Sequence, residues 1–99
     1  MTKMTTKKSP TTKKNLKMMT DEQYKELLII LAEECAEVVQ ECSKILRFDN
    51  DTVNLEKEIG DVVALLLIAS MHDEIDLNKV AKRVPEKVKK LKKFSSLFE

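Results

Sequence analysis

One run of apolar residues constrains the fold of this chain more than any other feature. Between residues 24 and 45, apolar side chains advance along the sequence in alternating steps of four and three. This is the heptad spacing of a helix that packs lengthwise against other helices. The positions are Tyr24, Leu28, Leu31, Cys35, Val38, Cys42 and Ile45. The pattern predicts a long first helix in an all-α helical bundle.

The flanking residues predict where this helix begins and ends. Thr20 and Gln23 have the spacing of a capping box, in which each side chain accepts a hydrogen bond from the other's backbone N–H. The segment "FDNDT", residues 48–52, is rich in Asp and Asn, which favour turns. The first helix is therefore predicted to begin after Thr20 and to end near Arg47.

A second helix is predicted from Val53 to His72, and its middle is apolar on nearly every side. The segment "VVALLLIASM", residues 62–71, is too short to span a bilayer. A helix that is apolar all round must be buried all round, and a domain of this size has too few other helices to surround it. We therefore expect a homo-oligomer, dimer or tetramer, that completes the core. The predicted contact positions are Leu55, Ile59, Val62, Leu66 and Ala69.

A third helix is predicted from Leu77 to Phe94, after the turn "HDEID". Its inward positions are predicted to be Val80, Val84, Val88 and Leu91. Pro85 is expected to kink this helix or to split it in two, because proline removes one backbone donor. No strand-like alternation and no internal repeat is present, so the predicted fold is all-α throughout.

The N-terminal segment differs in composition from the rest of the chain. It carries six lysines and no acid before Met18, whereas the remainder has twelve basic and seventeen acidic residues, a balance of −5. We predict a disordered basic tail over residues 1–18 and one domain over residues 19–99. The tail lacks the apolar segment of a signal peptide and the arginines of a mitochondrial presequence. These features predict a cytoplasmic protein that does not bind membranes, and the acidic remainder does not favour nucleic acid.

The two cysteines lie seven residues apart on the first predicted helix. That spacing corresponds to a rise of about 10 Å, which is too long for a disulfide within the chain. Cys35 and Cys42 are therefore interpreted as small core side chains in a reducing compartment.

Carboxylates lie unusually close to the apolar positions of the first two helices. Glu34, Glu37 and Glu41 form one strip on the first helix, and Asn54, Glu58 and Asp61 form one on the second. If these helices pair antiparallel, the strips meet over one cleft, where like charges repel unless a cation lies between them. Oxygen ligands of this kind suit Mg²⁺, or Mn²⁺, rather than zinc. The alternative is that these acids are solvated and paired with lysines such as Lys44 and Lys57.

Two short motifs carry a resemblance to a known family. "EECAE", residues 33–37, followed by "EIGD", residues 58–61, resembles the EExxE…ExxD signature of MazG-like nucleotide pyrophosphohydrolases, the all-α NTP pyrophosphatase superfamily. The likeness covers about residues 20–94. It implies hydrolysis of an NTP or dNTP to the monophosphate and pyrophosphate. It also implies four metal ligands: Glu34, Glu37, Glu58 and Asp61. Gly60 matches the small residue of the second motif, and we expect a close helix approach there.

The same resemblance suggests roles for residues around the metal. Glu33 matches the motif and is expected to support the ligands, while Glu41 is the candidate to accept a proton from water. The triphosphate requires cations and polar groups, for which the candidates are Lys44, Arg47, Asn54, Lys90 and Lys93. For each lysine, a solvated position at a helix end is an equally good interpretation.

Two other functions remain open at this point. Phosphoribosyl-ATP pyrophosphohydrolase belongs to the same superfamily and has a similar length, but no residue here selects for a phosphoribosyl group. A non-catalytic helical module could instead bind nucleic acid through the basic tail. That second alternative leaves the matched carboxylate pairs unexplained. The base and the sugar of the substrate are not determined by the sequence.

Overall fold

The computed structural model describes residues 18–99, which form three α-helices and no strand. Helix α1 is Asp21–Phe48, α2 is Val53–Met71 and α3 is Leu77–Phe94. The all-α prediction is confirmed, and each helix end lies within one residue of its predicted position. The predicted disorder of the basic tail concerns residues that, apart from Met18, lie outside the described part. None of the described helices is long and apolar enough to cross a membrane.

Local hydrogen bonds account for the helix ends. Thr20 Oγ1 accepts from the Gln23 backbone N–H, and Gln23 Oε1 accepts from the Thr20 backbone N–H, both at 3.0 Å. The predicted capping box is thus present. Asp49 stops α1 in the left-handed conformation with φ of 57°. The Asp76 side chain caps α3 by accepting from the Asn78 N–H at 2.8 Å.

Helices α1 and α2 pack along each other, whereas α3 contacts them only slightly. A cleft at one end is lined by residues from the start of α1 and the end of α2, among them Gln23, Leu27, Leu65 and His72, so the two helices run antiparallel. Among the described residues, the buried apolar side chains are Leu27 and Ala69, with exposed fractions of 6% and 2%. Every other apolar side chain in residues 18–99 keeps part of its surface in solvent.

The contact face of each helix is rotated from its predicted position. On α1 the buried and half-buried positions toward α2 are Leu27, Leu31, Glu34, Val38, Glu41 and Ile45. On α2 they are Leu55, Glu58, Val62, Leu65 and Ala69, with Leu66 beside them. The predicted contacts Leu28, Cys35, Cys42 and Ile59 are exposed. The prediction was wrong there because the apolar face of α1 is wider than one helix can cover, and α2 packs against its edge. The interpretation of both cysteines as core side chains is therefore also wrong within the protomer.

The structure bears on three expectations about individual positions. A Cβ added at Gly60 would meet no atom within 4 Å, so no close helix approach within the protomer explains this glycine. Pro85 was expected to kink or to split α3; α3 continues through it as one helix, so the split is excluded, while the kink stays a prediction. Val80 and Val84 are 44% and 57% exposed rather than inward, because α3 packs little against the other helices.

Candidate metal centre

Three carboxylates meet where α1 and α2 pack against each other. Glu34 and Glu37 lie one turn apart on α1, and Glu58 lies on the facing side of α2. One carboxylate oxygen from each residue lies within 4.8 Å of the other two. We call Glu34, Glu37 and Glu58 the acid cluster. The antiparallel pairing thus brings two residues of the predicted strip on α1 and one residue of the predicted strip on α2 to one place.

Two atoms of the acid cluster lack any hydrogen-bond partner. Oε1 of Glu34 and Oε1 of Glu58 are buried and accept no hydrogen bond. Both residues are half-buried because they occupy contact positions of the helix pair, whereas Glu37 is exposed. Leaving a buried charged acceptor without a partner is costly, and protein interiors rarely do so. These carboxylate oxygen atoms are therefore suitable ligands for a cation, and one cation could interact with both of them at once.

The cluster raises the pKa of two of its own carboxyl groups. A hydrogen bond with the Glu37 carboxyl, then partial burial and the charge of Glu37, raise the pKa of Glu58 to about 7. Partial burial, then the charges of Glu37 and Asp61, raise the pKa of Glu34 above its usual value, although a side-chain hydrogen bond with Glu58 acts in the opposite direction. Without a metal ion, the cluster thus holds a proton near neutral pH. A divalent cation would replace that proton as the compensating charge.

Asp61, the fourth predicted ligand, lies at the edge of the acid cluster. Its side chain is exposed, and no oxygen atom of Asp61 belongs to the group of three within 4.8 Å. Its negative charge nevertheless raises the pKa of both Glu34 and Glu58. Asp61 therefore lies within electrostatic reach of the cluster, one turn of α2 beyond Glu58.

The two further predicted acids lie on either side of the ligand positions along α1. Glu33 is exposed, and its charge makes a minor contribution to raising the pKa of Glu34. The Glu41 side chain is only 13% exposed, and its Oε2 lies 3.3 Å from Lys44 Nζ. The proposed proton acceptor thus already has a cationic partner on the same helix.

The predicted phosphate-binding groups are divided between two regions. On α1, Lys44 pairs with Glu41, while Arg47 donates to Ser43 Oγ at 3.3 Å and stacks 4.7 Å from the Phe48 ring. Asn54 is exposed in the first turn of α2. All three belong to the helix pair that carries the acid cluster.

The two candidates on α3 are not brought to the acid cluster. Lys90 is exposed and makes no ion pair within the described residues. Lys93 is also exposed, with its Nζ 5.8 Å from the Phe94 ring. Because α3 makes only slight contact with the helix pair, packing within one protomer does not hold these lysines near the acid cluster.

The sequence predicted that the acids lie beside the residues through which α1 and α2 contact each other. In the structure, Glu34, Glu41 and Glu58 are themselves contact residues. A signal for this was present, because Leu27, Leu31, Glu34, Val38, Glu41 and Ile45 also advance in alternating steps of four and three. Carboxylates at contact positions of a helix pair indicate a polar site rather than a solvated surface. The apolar residues alone favour a second heptad, through Leu28, Cys35 and Cys42, which overlaps the first.

Comparison with known families agrees with this geometry. The family model of the MazG nucleotide pyrophosphohydrolase domain matches residues 22–94, which include all three helices. No curated protein and no solved structure matches the chain with significant similarity. The match extends over most of the chain and includes each residue of the acid cluster. The chain therefore belongs to the MazG nucleotide pyrophosphohydrolase family.

Proposed function

We propose that the protein is a Mg²⁺-dependent hydrolase that converts a nucleoside triphosphate, NTP or dNTP, to the monophosphate and pyrophosphate. The observation that carries this proposal is the pair of buried, unpartnered Oε1 atoms of Glu34 and Glu58 within a cluster of three carboxylates. A solvated surface cluster does not leave such atoms without a donor. Membership of a nucleotide pyrophosphohydrolase family supports the same reaction class.

The residues present fit a hard divalent cation. Glu34, Glu37 and Glu58 would hold it, and Asp61 lies near enough to join them. Carboxylate oxygens suit Mg²⁺, with Mn²⁺ as the closest substitute. When bound, such an ion neutralises phosphate oxygens and lowers the pKa of a bound water.

Two further acids of α1 are proposed to accept a proton and to support the metal ligands. Hydrolysis adds water across the α–β phosphoanhydride bond, and the proton that the water loses must be accepted. Glu41 is the proposed acceptor, since it lies one turn beyond Glu37 on α1 and its side chain is largely buried beside Lys44. Glu33 supports the ligands by adding negative charge next to Glu34.

Binding of the triphosphate requires cationic and polar side chains near its phosphate oxygen atoms. Arg47 and Asn54 belong to the helix pair, and Lys44 would exchange Glu41 for a phosphate oxygen when substrate binds. Lys90 and Lys93 remain proposed contacts of the triphosphate, and they can reach it only if α3 lies next to an acid cluster. The cytoplasmic location likewise remains a prediction.

A substrate panel tests this proposal directly. The protein is incubated with each NTP, each dNTP and phosphoribosyl-ATP in the presence of Mg²⁺, and pyrophosphate release and the monophosphate are measured. We expect at least one nucleoside triphosphate to yield both products in equal amounts. Glu37→Gln should abolish the reaction, whereas Glu22→Gln, at an exposed acid about 22 Å further toward the N-terminus of α1, should not. Release of single phosphates, or no reaction with any substrate, would contradict the proposal.

A further inference from the structure

The cleft at the end of the helix pair has the properties of a ligand site, and we call it the end cleft. Its walls include the apolar side chains of Leu27, Ile30 and Leu65, and its polar residues include Gln23 and Glu26. Its volume of about 210 Å³ lies below the range of about 300–1,000 Å³ for sites that enclose a whole drug-sized ligand. The end cleft is therefore suited to one part of a larger ligand, such as the base of a nucleotide.

The end cleft opens on the same side of the helix pair as the acid cluster. At about 100° per residue, Gln23 and Ile30 are rotated by about 40° to 60° around α1 from the residues that contact α2, and Glu37 by about 80° in the same direction. Leu27 precedes Glu34 by seven residues, which corresponds to a rise of about 10 Å. In a nucleoside triphosphate the ribose separates the base from the phosphates. A base in the end cleft would therefore direct its phosphates toward the acid cluster.

Gln23 and Glu26 supply a donor and an acceptor at the edge of the end cleft. The Oε1 atom of Gln23 accepts from the Thr20 N–H at 3.0 Å, so the capping box fixes this amide and leaves its Nε2 group to donate. Glu26 is exposed and forms no side-chain hydrogen bond or ion pair within residues 18–99, so its carboxylate oxygen atoms remain able to accept. The two residues are three positions apart and are therefore neighbours on the helix surface.

We propose that the end cleft binds the base of the nucleoside triphosphate, and that Glu26 and Gln23 select a base with an exocyclic amino group over uracil and thymine. This inference rests on the proposed function, because it names the substrate class of the same site. Proteins read an unpaired base through hydrogen bonds to its edge and through apolar side chains packed on its faces. Leu27, Ile30 and Leu65 provide the apolar surface, and the two polar residues provide the hydrogen bonds.

The carboxylate of Glu26 is the group that discriminates between the bases. In cytosine and adenine, an amino group donates at the end of the base edge beside a ring nitrogen that accepts, so Glu26 can accept while Gln23 donates. In guanine, two adjacent N–H groups donate beside a carbonyl oxygen, which also matches this pair. In uracil and thymine, the one N–H donor lies between two carbonyl oxygen atoms. Those oxygen atoms and the carboxylate repel each other, because all of them are acceptors.

A comparison of nucleotides tests the selection in the unmodified protein. The ratio kcat/KM is measured for each NTP and dNTP with Mg²⁺, and cytosine and uracil nucleotides form the matched pair because they differ only at this edge. We expect the best substrate to carry an amino group on its base and to exceed UTP and dTTP by at least about tenfold. Affinities measured by calorimetry with Ca²⁺ in place of Mg²⁺ repeat the comparison without turnover. The selection can therefore fail while pyrophosphate release succeeds, and the reverse.

A matched pair of variants tests the carboxylate itself. Glu26→Gln replaces it with a group that both donates and accepts, and Glu22→Gln makes the same change one turn earlier, outside the end cleft. We expect Glu26→Gln to lower the preference over UTP by at least about fivefold, and Glu22→Gln to leave it unchanged. Equal or better use of UTP or dTTP by the unmodified protein would overturn the proposal. An unchanged preference in Glu26→Gln would overturn it as well.

Tripolyphosphate, which has phosphates but no base, tests whether the base lies in the end cleft. Ile30→Ala removes part of the apolar wall, and Ile29→Ala makes the same change at the adjacent exposed residue outside it. We expect Ile30→Ala to raise KM for the preferred nucleotide several-fold without weakening inhibition by tripolyphosphate, and Ile29→Ala to do neither. Equal weakening of both ligands by Ile30→Ala, or of neither, would place the base elsewhere and overturn the proposal. If Ile30→Ala does not fold, the nucleotide comparison and Glu26→Gln decide alone.

Discussion

Glu37 on α1 and Glu58 on α2 hold their carboxyl groups in hydrogen-bond contact across the helix pair. Two carboxyl groups can do this only while one of them keeps a proton. This contact is the largest cause that raises the pKa of Glu58 from 4.5 to about 7. The metal-free site thus has a measurable signature that a set of solvated surface acids would lack.

The first prediction concerns the stability of the metal-free protein as a function of pH. Because the pKa of Glu58 is 4.5 when unfolded and about 7 when folded, the folded state binds the proton more tightly. The free energy of unfolding should therefore fall as the pH rises from about 4.5 to about 7. Denaturation by urea at a series of pH values, with a chelator present, measures this.

Glu58→Gln provides the control for that series. A glutamine keeps the shape and a hydrogen-bond donor but cannot titrate, so the loss of stability over this pH range should become smaller. A variant with the same pH dependence as the unmodified protein would assign the effect to other groups.

The second prediction is that Mg²⁺ stabilises the fold and competes with the shared proton. Saturation at about 100 times the dissociation constant stabilises a protein by about 2.7 kcal/mol. Below pH 7 the affinity should fall by about tenfold per pH unit, since one proton must leave before the ion binds. Melting temperatures at increasing Mg²⁺ concentrations, at pH 6 and pH 8, test this. If Mg²⁺ raised the melting temperature equally, and at the same concentrations, at both pH values, competition between the ion and the proton would be excluded.

The third prediction separates a metal ligand from a structural salt bridge. Glu37→Gln should reduce turnover by at least about a hundredfold, while the metal-free melting temperature stays the same or rises, because like charges no longer repel. If Asp61 is a ligand, Asp61→Asn should likewise reduce turnover without lowering the metal-free melting temperature. A variant that melts lower without metal yet releases pyrophosphate at the normal rate would show a structural role instead.

The fourth prediction concerns Lys44, whose only described partner is Glu41. Surface pairs of this kind contribute about 0.2–1 kcal/mol, so Lys44→Gln should change stability little. If Lys44 binds the triphosphate, KM should rise several-fold in this variant. Lys25→Gln, an exposed lysine at the other end of α1, is the matched control. Equal KM values for both variants would remove Lys44 from the substrate site.

The fifth prediction is that deletion of residues 1–17 leaves folding and hydrolysis nearly unchanged. These residues contain few large apolar side chains, and the family match begins at residue 22. Circular dichroism and the pyrophosphate assay on the truncated chain test this. A truncated protein that is unfolded or inactive would assign the tail a role in the domain.

Features that depend on neighbouring residues were predictable from the sequence, while features that depend on packing were not. The ends of α1 follow from Thr20, Gln23 and the turn at Asp49, which act through local hydrogen bonds. The apolar residues of α1 alone did not determine its rotation, because they allow two overlapping heptad stripes. One contains Leu27 and Glu34, and the other contains Leu28 and Cys35. Only the position of α2 decides between them.

The same distinction applies to the candidate site. The spacing of Glu34, Glu37 and Glu58 was sufficient to predict that they meet, since it depends on two helices joined by a short turn. Lys90 and Lys93 were predicted to bind the triphosphate, but the protomer does not bring them to the acid cluster, because their position depends on how α3 packs. That packing is slight in the protomer, where Val80 and Val84 remain exposed.

The most direct test of the central claim is pyrophosphate release measured as a function of Mg²⁺ concentration. The account predicts no release without the ion, a saturable rise with it, and loss of that rise in Glu58→Gln while the Glu22→Gln control behaves like the unmodified protein. Release that does not require a divalent ion, or an identical Mg²⁺ curve in Glu58→Gln, would contradict the claim that the acid cluster binds the metal for hydrolysis.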